Sequence, residues 1–460
     1  FTVIYSIILR FVKLSDRKRR SVLTFIIGIF VIGELFGASL STMEAINSDV
    51  VYSKYSSYNR YITLGRDTVK KILQKDSFDD GVYRIEKNHH RTVNDAMAFG
   101  SYGISHSSST LNAAPIQFLR KLGFSYGGHY TKYKGSTYVS DAILGIKYVM
   151  EKGDAEDDII PTNKHYDDLL LTNRDEKDIW AVYENPNALP IAFMADSSVL
   201  DVVLEKDNPF ANQNNLLSHL VSDEYTEYFK QISVSKTLPE NAKQSSYGAH
   251  IKYTPIVEGE NSHIEFIIKA PTEDMIYMYL PSNYERKVNL WLNKDFLDYY
   301  FEGGNMVIQT LGKFEENEEI SLIVTITEDK KEVLFKDKLF YYLDEDKFKE
   351  AVSTLNISDF SEDHIKGTIT ADKDGIMFTT ISWEPGWTVK VDGQKVEPVK
   401  VCDALIGVEL TEGTHDIEMT FFPKGLSQGI ILSVCGIIAI VIIAIYPKKE
   451  EKILLDKLND

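Results

Sequence analysis

Ten histidines, two cysteines and one serine run are the residues of this chain best equipped for chemistry. Zinc held on a helix needs two imidazoles one turn apart with an acidic neighbour. His89 and His90 are adjacent, whereas His106, His129, His165, His219, His250, His263, His364 and His415 are scattered. No pair has that spacing, so no metal site is expected. Asp372-Lys373-Asp374-Gly375 opens like a calcium loop, but the bidentate glutamate that would close it is missing, and the stretch reads as a turn. The serine run 105–109 contains His106, a nucleophile and a base side by side. A triad also needs a third group to orient the base; none is identifiable, and the run reads as loop and capping residues. No phosphate-cradling glycine loop is present, and no cofactor is expected.

Polar side chains are densest over 94–109, with Asn94, Asp95, Tyr102, Ser105, Ser107 and Ser108. Burying such groups unpaired is costly, so they face a hydrated ligand-binding cleft or satisfy one another in a loop. An Asx-type turn accounts for Asn94-Asp95 without a ligand and tips the reading towards the loop. The candidate substrate-binding residues are Asn94, Asp95, Tyr102 and Ser107. Aromatic rings offer ligands an apolar face to stack on, and the chain has 26 Tyr, 23 Phe and 4 Trp. In a β-rich protein most of these belong to the core, so only tyrosines found exposed, among Tyr126, Tyr130, Tyr133 and Tyr138, would count as platforms.

The elements that must hold these residues are set by two apolar runs, 22–36 and 429–446. A hydrocarbon core of ~30 Å needs about 20 residues of helix. The first run extends to 21–40 with one charge, Glu34, and the second carries none. Asp16-Arg17-Lys18-Arg19-Arg20 precedes the first and Lys448-Lys449 follows the second. Basic flanks stay on the cytoplasmic side, which puts the interior of the chain outside. Residues 1–13 are apolar apart from Arg10 and Lys13 and resemble the end of another membrane helix, so the sequence reads as the C-terminal part of a longer polytopic protein. The formal charge of −18 argues against a nucleic-acid partner, which needs basic stripes. With Cys402 and Cys435 alone, and the latter inside an apolar run, no disulfide framework supports the outer region; its core must fold unaided.

The expected fold is a membrane-anchored α+β protein. Transmembrane helices flank an extracytoplasmic α/β domain (57–240), a β-sandwich-like domain (241–343), a linking helix (344–356) and a second β unit (357–427). A membrane helix over 429–446 and a cytoplasmic tail, 447–460, close the chain. Helices are expected over 67–74, after an N-cap at Asn112, and over 223–232. Strands are expected over 143–150, 191–194, 263–269, 275–280, 287–292 and 319–326. Trp387, Val389 and Val391 alternate into an Asp392-Gly393 hairpin, and Ile417, Met419 and Phe421 alternate just before the last helix.

Several short segments, in this order, resemble the YfhO family of bacterial membrane proteins: Asn94-Asp95-Ala96-Met97, then Tyr102-Gly103-Ile104-Ser105, then Leu144-Gly145-Ile146-Lys147-Tyr148-Val149, and Glu184-Asn185-Pro186 with Ala188-Leu189-Pro190. Pro385-Gly386-Trp387, Val391-Asp392-Gly393, Gly413-Thr414-His415 and Phe422-Pro423-Lys424-Gly425 continue it. The resemblance implies a GT-C-type glycosyltransferase that takes sugar from a polyprenyl-phosphate donor to decorate cell-envelope polymers such as lipoteichoic acid. Its partners would be membrane lipid, that donor and the polymer acceptor. It places the catalytic acid in a first outer loop upstream of this sequence, so no catalytic residue is assigned. The alternative is a non-catalytic, membrane-anchored surface protein that binds carbohydrate or acts as a receptor.

Overall fold

The computed structural model describes residues 6–7, 9–12, 16–49, 53–75, 82–248, 250–281, 287–301, 306–328, 332–336, 339–355, 359–361 and 365–459. The chain forms two compact units, Phe1–Tyr61 and Ile62–Asp460. Segment 1–13 and His364 lie largely or wholly outside the described residues.

In the first unit a 33-residue helix, Arg17–Asp49, contains an apolar stretch, Arg19–Ile46, of mean hydropathy 2.1 with none of it buried. Phe25 and Ile32 are about 70% exposed, at 70% and 69%. A soluble protein does not leave such a helix bare. At 1.5 Å per residue the stretch is ~42 Å long, more than the bilayer core requires.

The second unit begins within helix Tyr55–Lys75, which contains the expected 67–74 and runs further back. Leu64, Val69 and Ile72 line its buried face. A four-stranded sheet follows, in the order Arg84–Lys87, Ile146–Asp154, Asp178–Glu184, Leu169–Arg174. Its first pair is parallel and the rest antiparallel. Helix Ala113–Lys121 starts as expected, with Asn112 Oδ1 accepting from the Ala114 amide at 3.0 Å.

The helix expected over 223–232 is not there. The helix is Pro209–Val221, and Phe229–Ile232 is a strand paired with Phe340–Leu343. Asn212, Gln213 and Asn214 interrupt the apolar pattern of 209–221, yet all three are buried and bonded to backbone. Their amide groups donate to Lys121, Leu122 and Phe229 carbonyls respectively. Asn214 Oδ1 also accepts from the Tyr228 and Phe229 amides, at 3.1 and 2.7 Å. Those amides are therefore spent on a side chain, and the segment is drawn out into a strand.

Three sheets share the main apolar core with the α/β segment. The largest runs Lys236–Glu240, Ser262–Lys269, Glu319–Ile326, Val288–Leu292, Asp295–Tyr300. Ile320, Leu322, Val324 and Ile326, which alternate in sequence, are all fully buried. Helix Glu345–Ser353 follows, capped by Asp344 accepting from the Lys347 amide.

A second core cluster lies between two further sheets. One has the order Asp359–Ser361, Ile365–Ala371, Gly413–Phe421, Trp387–Val391, Gln394–Val396; the other Val399–Val401, Leu405–Leu410, Gly375–Ser382, Ala192–Ala195. Ala192–Ala195 belongs by sequence to the α/β segment and pairs with Gly375–Ser382 across the chain. Asp392 and Gly393, with φ of 51° and 79°, make the two-residue turn between Trp387–Val391 and Gln394–Val396. Helix Leu426–Asn459 closes the unit and runs past 446 without a break. Its apolar part, Leu426–Ala444, has a mean hydropathy of 2.5 and none of it is buried.

Candidate functional site

The four residues singled out by polar density lie in one short segment: Asn94 just before a helix, Asp95 in it, Tyr102 in the loop after it and Ser107 in a two-residue strand. Asp95 opens the five-residue helix Asp95–Phe99 and is 1% exposed. Its carboxylate accepts from the Arg91 amide, the Thr92 amide and the Thr92 hydroxyl, at 2.9, 3.0 and 2.8 Å. Asn94 treats Ser107 as a strand neighbour would: Nδ2 donates to the Ser107 carbonyl at 3.0 Å and Oδ1 accepts its amide at 2.7 Å. Tyr102 is 54% exposed, and none of the four lines the cleft described below.

Ser105 lies at the centre of a buried network. Its hydroxyl donates to Glu86 Oε2 at 3.0 Å, accepts the Tyr133 amide at 2.9 Å, and lies 3.0 Å from His90 Nε2. The sequence paired the serines with His106, but His106 Nδ1 meets Asn94 Oδ1. His90 is the imidazole on Ser105, and burial holds it neutral, with a pKa down at about 2. The Ser105 proton is already committed to Glu86, which also takes the Ile104 and Ser105 amides at 2.6 and 2.8 Å. This is architecture, with no free nucleophile.

A chemically open place is a cleft of about 390 Å³ on the strand Ile146–Asp154. Glu151 projects from that strand into it. Asn88, just beyond the neighbouring strand Arg84–Lys87, donates its amide to Glu151 Oε1, and Asn163 Nδ2 donates to the same oxygen at 2.6 Å. Asn163 is held in turn by its Oδ1, which accepts the His165 and Tyr166 amides at 2.8 and 3.0 Å. Two amides fix one carboxylate oxygen, and Glu151 Oε2 is left to the cleft. Burial outweighs both amide bonds and lifts the Glu151 pKa to about 7. A carboxyl poised there can hold or release a proton at neutral pH.

Three lysines surround the opening. Lys132 ends the hairpin strand Tyr130–Lys132, Lys134 follows, and Lys164 comes from the loop of Asn163. Lys134 Nζ pairs with Asp298 Oδ2 at 2.8 Å. His165 forms a neutral wall: its Nε2 meets Thr310 Oγ1 at 2.9 Å, and burial depresses its pKa to about 3. Gly135 completes the rim with φ of 97°; a Cβ there would lie 2.3 Å from the Gly123 carbonyl oxygen. Below the rim Asp141 is fully buried, and its Oδ2 accepts from Tyr133 and Tyr166 hydroxyls at 2.9 and 2.8 Å. With no cation among these partners, burial raises its pKa to about 7.

Sequence reasoning passed over Glu151, Asn88 and Asn163 because they come from three separate elements. A lone glutamate in a strand otherwise rich in buried residues was the one available signal. Of the tyrosines weighed as platforms, Tyr133 is buried, while Tyr126, Tyr130 and Tyr138 are half-buried. Tyr126 stacks under Arg120 and Tyr138 donates to the His165 carbonyl. Among the described residues no group of three or more His, Cys, Asp or Glu could hold a metal ion.

Comparison with solved structures gives partial likenesses. A β-glucuronidase from Ruminococcus gnavus in complex with D-glucaro-d-lactam is 10% identical, with a TM-score of 0.17 over 35% of this chain and 30% of that one. The same enzyme with uronic deoxynojirimycin gives a TM-score of 0.16 over the same shares, also at 10% identity. Among curated proteins the Bacillus subtilis (strain 168) "Uncharacterized protein YfhO" is 23% identical over 440 residues. That alignment takes in 89% of this chain and 49% of the relative, so the chain spans about half the relative's length. The family model described as "Bacterial membrane protein YfhO" matches residues 1–433, nearly the whole chain, and with its two bare apolar helices the chain belongs to that family of membrane proteins.

Proposed function

We propose that this chain is the C-terminal part of a multi-pass, GT-C-like membrane glycosyltransferase. Its region 41–428 stands outside the membrane and presents an envelope polymer to a sugar carried on polyprenyl phosphate. One observation carries the reading: the cleft around Glu151 combines an open carboxylate oxygen, two fixed amides and three lysines in one place. Hydroxyl-rich acceptors need paired donors and acceptors of that kind, and a polymer bearing phosphate needs the cations. A lipid-linked donor keeps its reactive phosphate at the membrane surface, so holding the acceptor close to that plane supplies proximity and orientation. The Asn94–Asp95 loop, with Tyr102 and Ser107, stands one hairpin away from Lys132 and keeps that rim in place; a direct sugar contact there would come from Tyr102.

The test is Glu151→Gln in the complete gene, expressed in cells. Losing a charged hydrogen-bond partner costs ~1.5–3 kcal/mol, so polymer-bound sugar should drop about tenfold or more while membrane blots show normal abundance. Unchanged incorporation at normal abundance would remove the cleft from the reaction. Loss of polymer binding with no sugar transfer measurable even for the unaltered protein would favour the carbohydrate-binding alternative.

A further inference from the structure

The end of the C-terminal sheet nearest the last apolar helix shows an unusual distribution of rings. Trp387 and Phe421 are register partners on adjacent strands, with ring centroids 5.1 Å apart. They belong to the inward face of their sheet, in line with Val389 and Met419, which are 0% and 2% exposed. Yet the covering core stops short of them, and Phe421 is 44% exposed. Phe422, the residue just beyond the strand, is 55% exposed. The opposite face of the sheet end carries the Thr388–Thr420 pair, so the rings are left partly bare beside small polar residues.

The chain itself limits where these rings can go. Helix Leu426–Asn459 starts five residues after Phe421, and its apolar stretch begins at Leu426. Five extended residues reach at most ~18 Å. The actual path is shorter, because the Leu426 amide bonds back to the Pro423 carbonyl at 3.2 Å and closes a turn. The sheet end is also fixed to that turn: the Phe422 amide donates to the Gly386 carbonyl at 3.0 Å. Gly386, with φ of 148°, packs so tightly that a Cβ would lie 2.5 Å from the Phe422 carbonyl oxygen. Between the hydrocarbon and bulk water lies an interfacial layer of roughly 5–8 Å per leaflet. Tryptophan and other rings concentrate in it, because it accepts apolar faces and polar edges together.

We propose that Trp387, Phe421 and Phe422 form a foot that rests in the lipid headgroup layer, so that the C-terminal β unit is seated on the bilayer as well as tethered to it. The occupant is lipid, and exposed Lys424 in the connecting turn reaches the phosphates. The inference rests on the reading that Leu426–Ala444 crosses a membrane. Seating would hold the sheet at a fixed height and orientation, which a flexible tether alone does not.

Phe422→Trp and, separately, Ile431→Trp in the full chain test it, reconstituted in phosphatidylcholine nanodiscs. Nitroxide on the lipid headgroup, nitroxide deep on the acyl chain, and aqueous acrylamide serve as quenchers. Emission added by Phe422→Trp should be quenched at least twofold more by the headgroup label than by acrylamide. Emission added by Ile431→Trp should respond to the acyl label. If Ile431 responds but the tryptophan at 422 is reached only by acrylamide, the foot is wrong while the membrane helix stands. If the tryptophan at 431 is itself reached only by acrylamide, the membrane reading fails, and the foot with it.

Discussion

Three carboxylates, Asp95 and Asp141 buried and Glu151 half-buried, show how the same chemical group serves opposite ends. Asp95 accepts three donors in its own loop and holds the turn that carries the Asn94–Ser107 contact. Removing it strands those donors, so Asp95→Ala should cost ~1–3 kcal/mol in a denaturant titration, and Asp95→Asn less, since one acceptor oxygen remains. An unchanged midpoint for Asp95→Ala would show that the loop does not depend on it. Glu151 and Asp141, by contrast, are poorly compensated, and burial raises both to about 7 from 4.5 and 3.8. A raised pKa means the folded state binds these protons more tightly than the unfolded chain. Their stabilising contribution is complete below about pH 4, declines as pH rises, and is gone above about 7. Thermal midpoints should therefore fall between pH 5 and 8, and the fall should flatten in Glu151→Gln and in Asp141→Asn. A slope unaltered by both substitutions would show that these two groups are not the source.

Elements were legible wherever one face alone decided the pattern. Strand Glu319–Ile326, helix Glu345–Ser353 with its Asp344 cap, and the Asp392-Gly393 turn fall where alternation and turn chemistry put them. Helix Pro209–Val221 was hidden because its buried amides, Asn212 to Asn214, read as surface. Only the carbonyls and amides they meet, far away in sequence, make them core residues. The cleft was hidden for the same reason: its carboxylate, amides and lysines are brought together by strand pairing, which no local spacing encodes. Two elements give direct tests. Gly135→Ala forces a Cβ against the Gly123 carbonyl at a positive φ, so it should destabilise by ~1–3 kcal/mol and disturb the rim. Gly135→Ala folding as tightly as the parent would mean that the rim yields easily. Trp387 alternates with Val389 and Val391, the pattern of a core-facing ring, and it packs on the second cluster while remaining half-buried beside Phe421. Trp387→Ala should accordingly cost less than the ~3–5 kcal/mol of a fully buried ring. A larger loss in soluble detergent would put the ring deeper in the core than its half-burial indicates.

At the scale of the whole molecule, the two bare helices and the acidic body between them make a single demand on topology. An apolar stretch of 28 residues and another of 19 cannot stay in water, and the family is one of membrane proteins. A basic cluster flanks each helix on the side away from region 41–428: Arg17, Lys18, Arg19 and Arg20 before the first, Lys448 and Lys449 after the second. Lysine and arginine resist translocation, whereas aspartate and glutamate have little influence on orientation, so both basic flanks should face the cytoplasm. Region 41–428, with the cleft and the ring-bearing sheet end, should then face outward. Single cysteines in a Cys402→Ser, Cys435→Ser background distinguish the two orientations. Ser245, on the strand Ala242–Tyr247, is exposed, and Ser21 sits beside the first basic flank. A membrane-impermeant maleimide added to intact cells should label Ser245→Cys, and should reach Ser21→Cys only after the membrane is opened. The reverse pattern would place the cleft in the cytoplasm, where no polymer of the envelope surface could reach it, and the proposed function would fall with the topology.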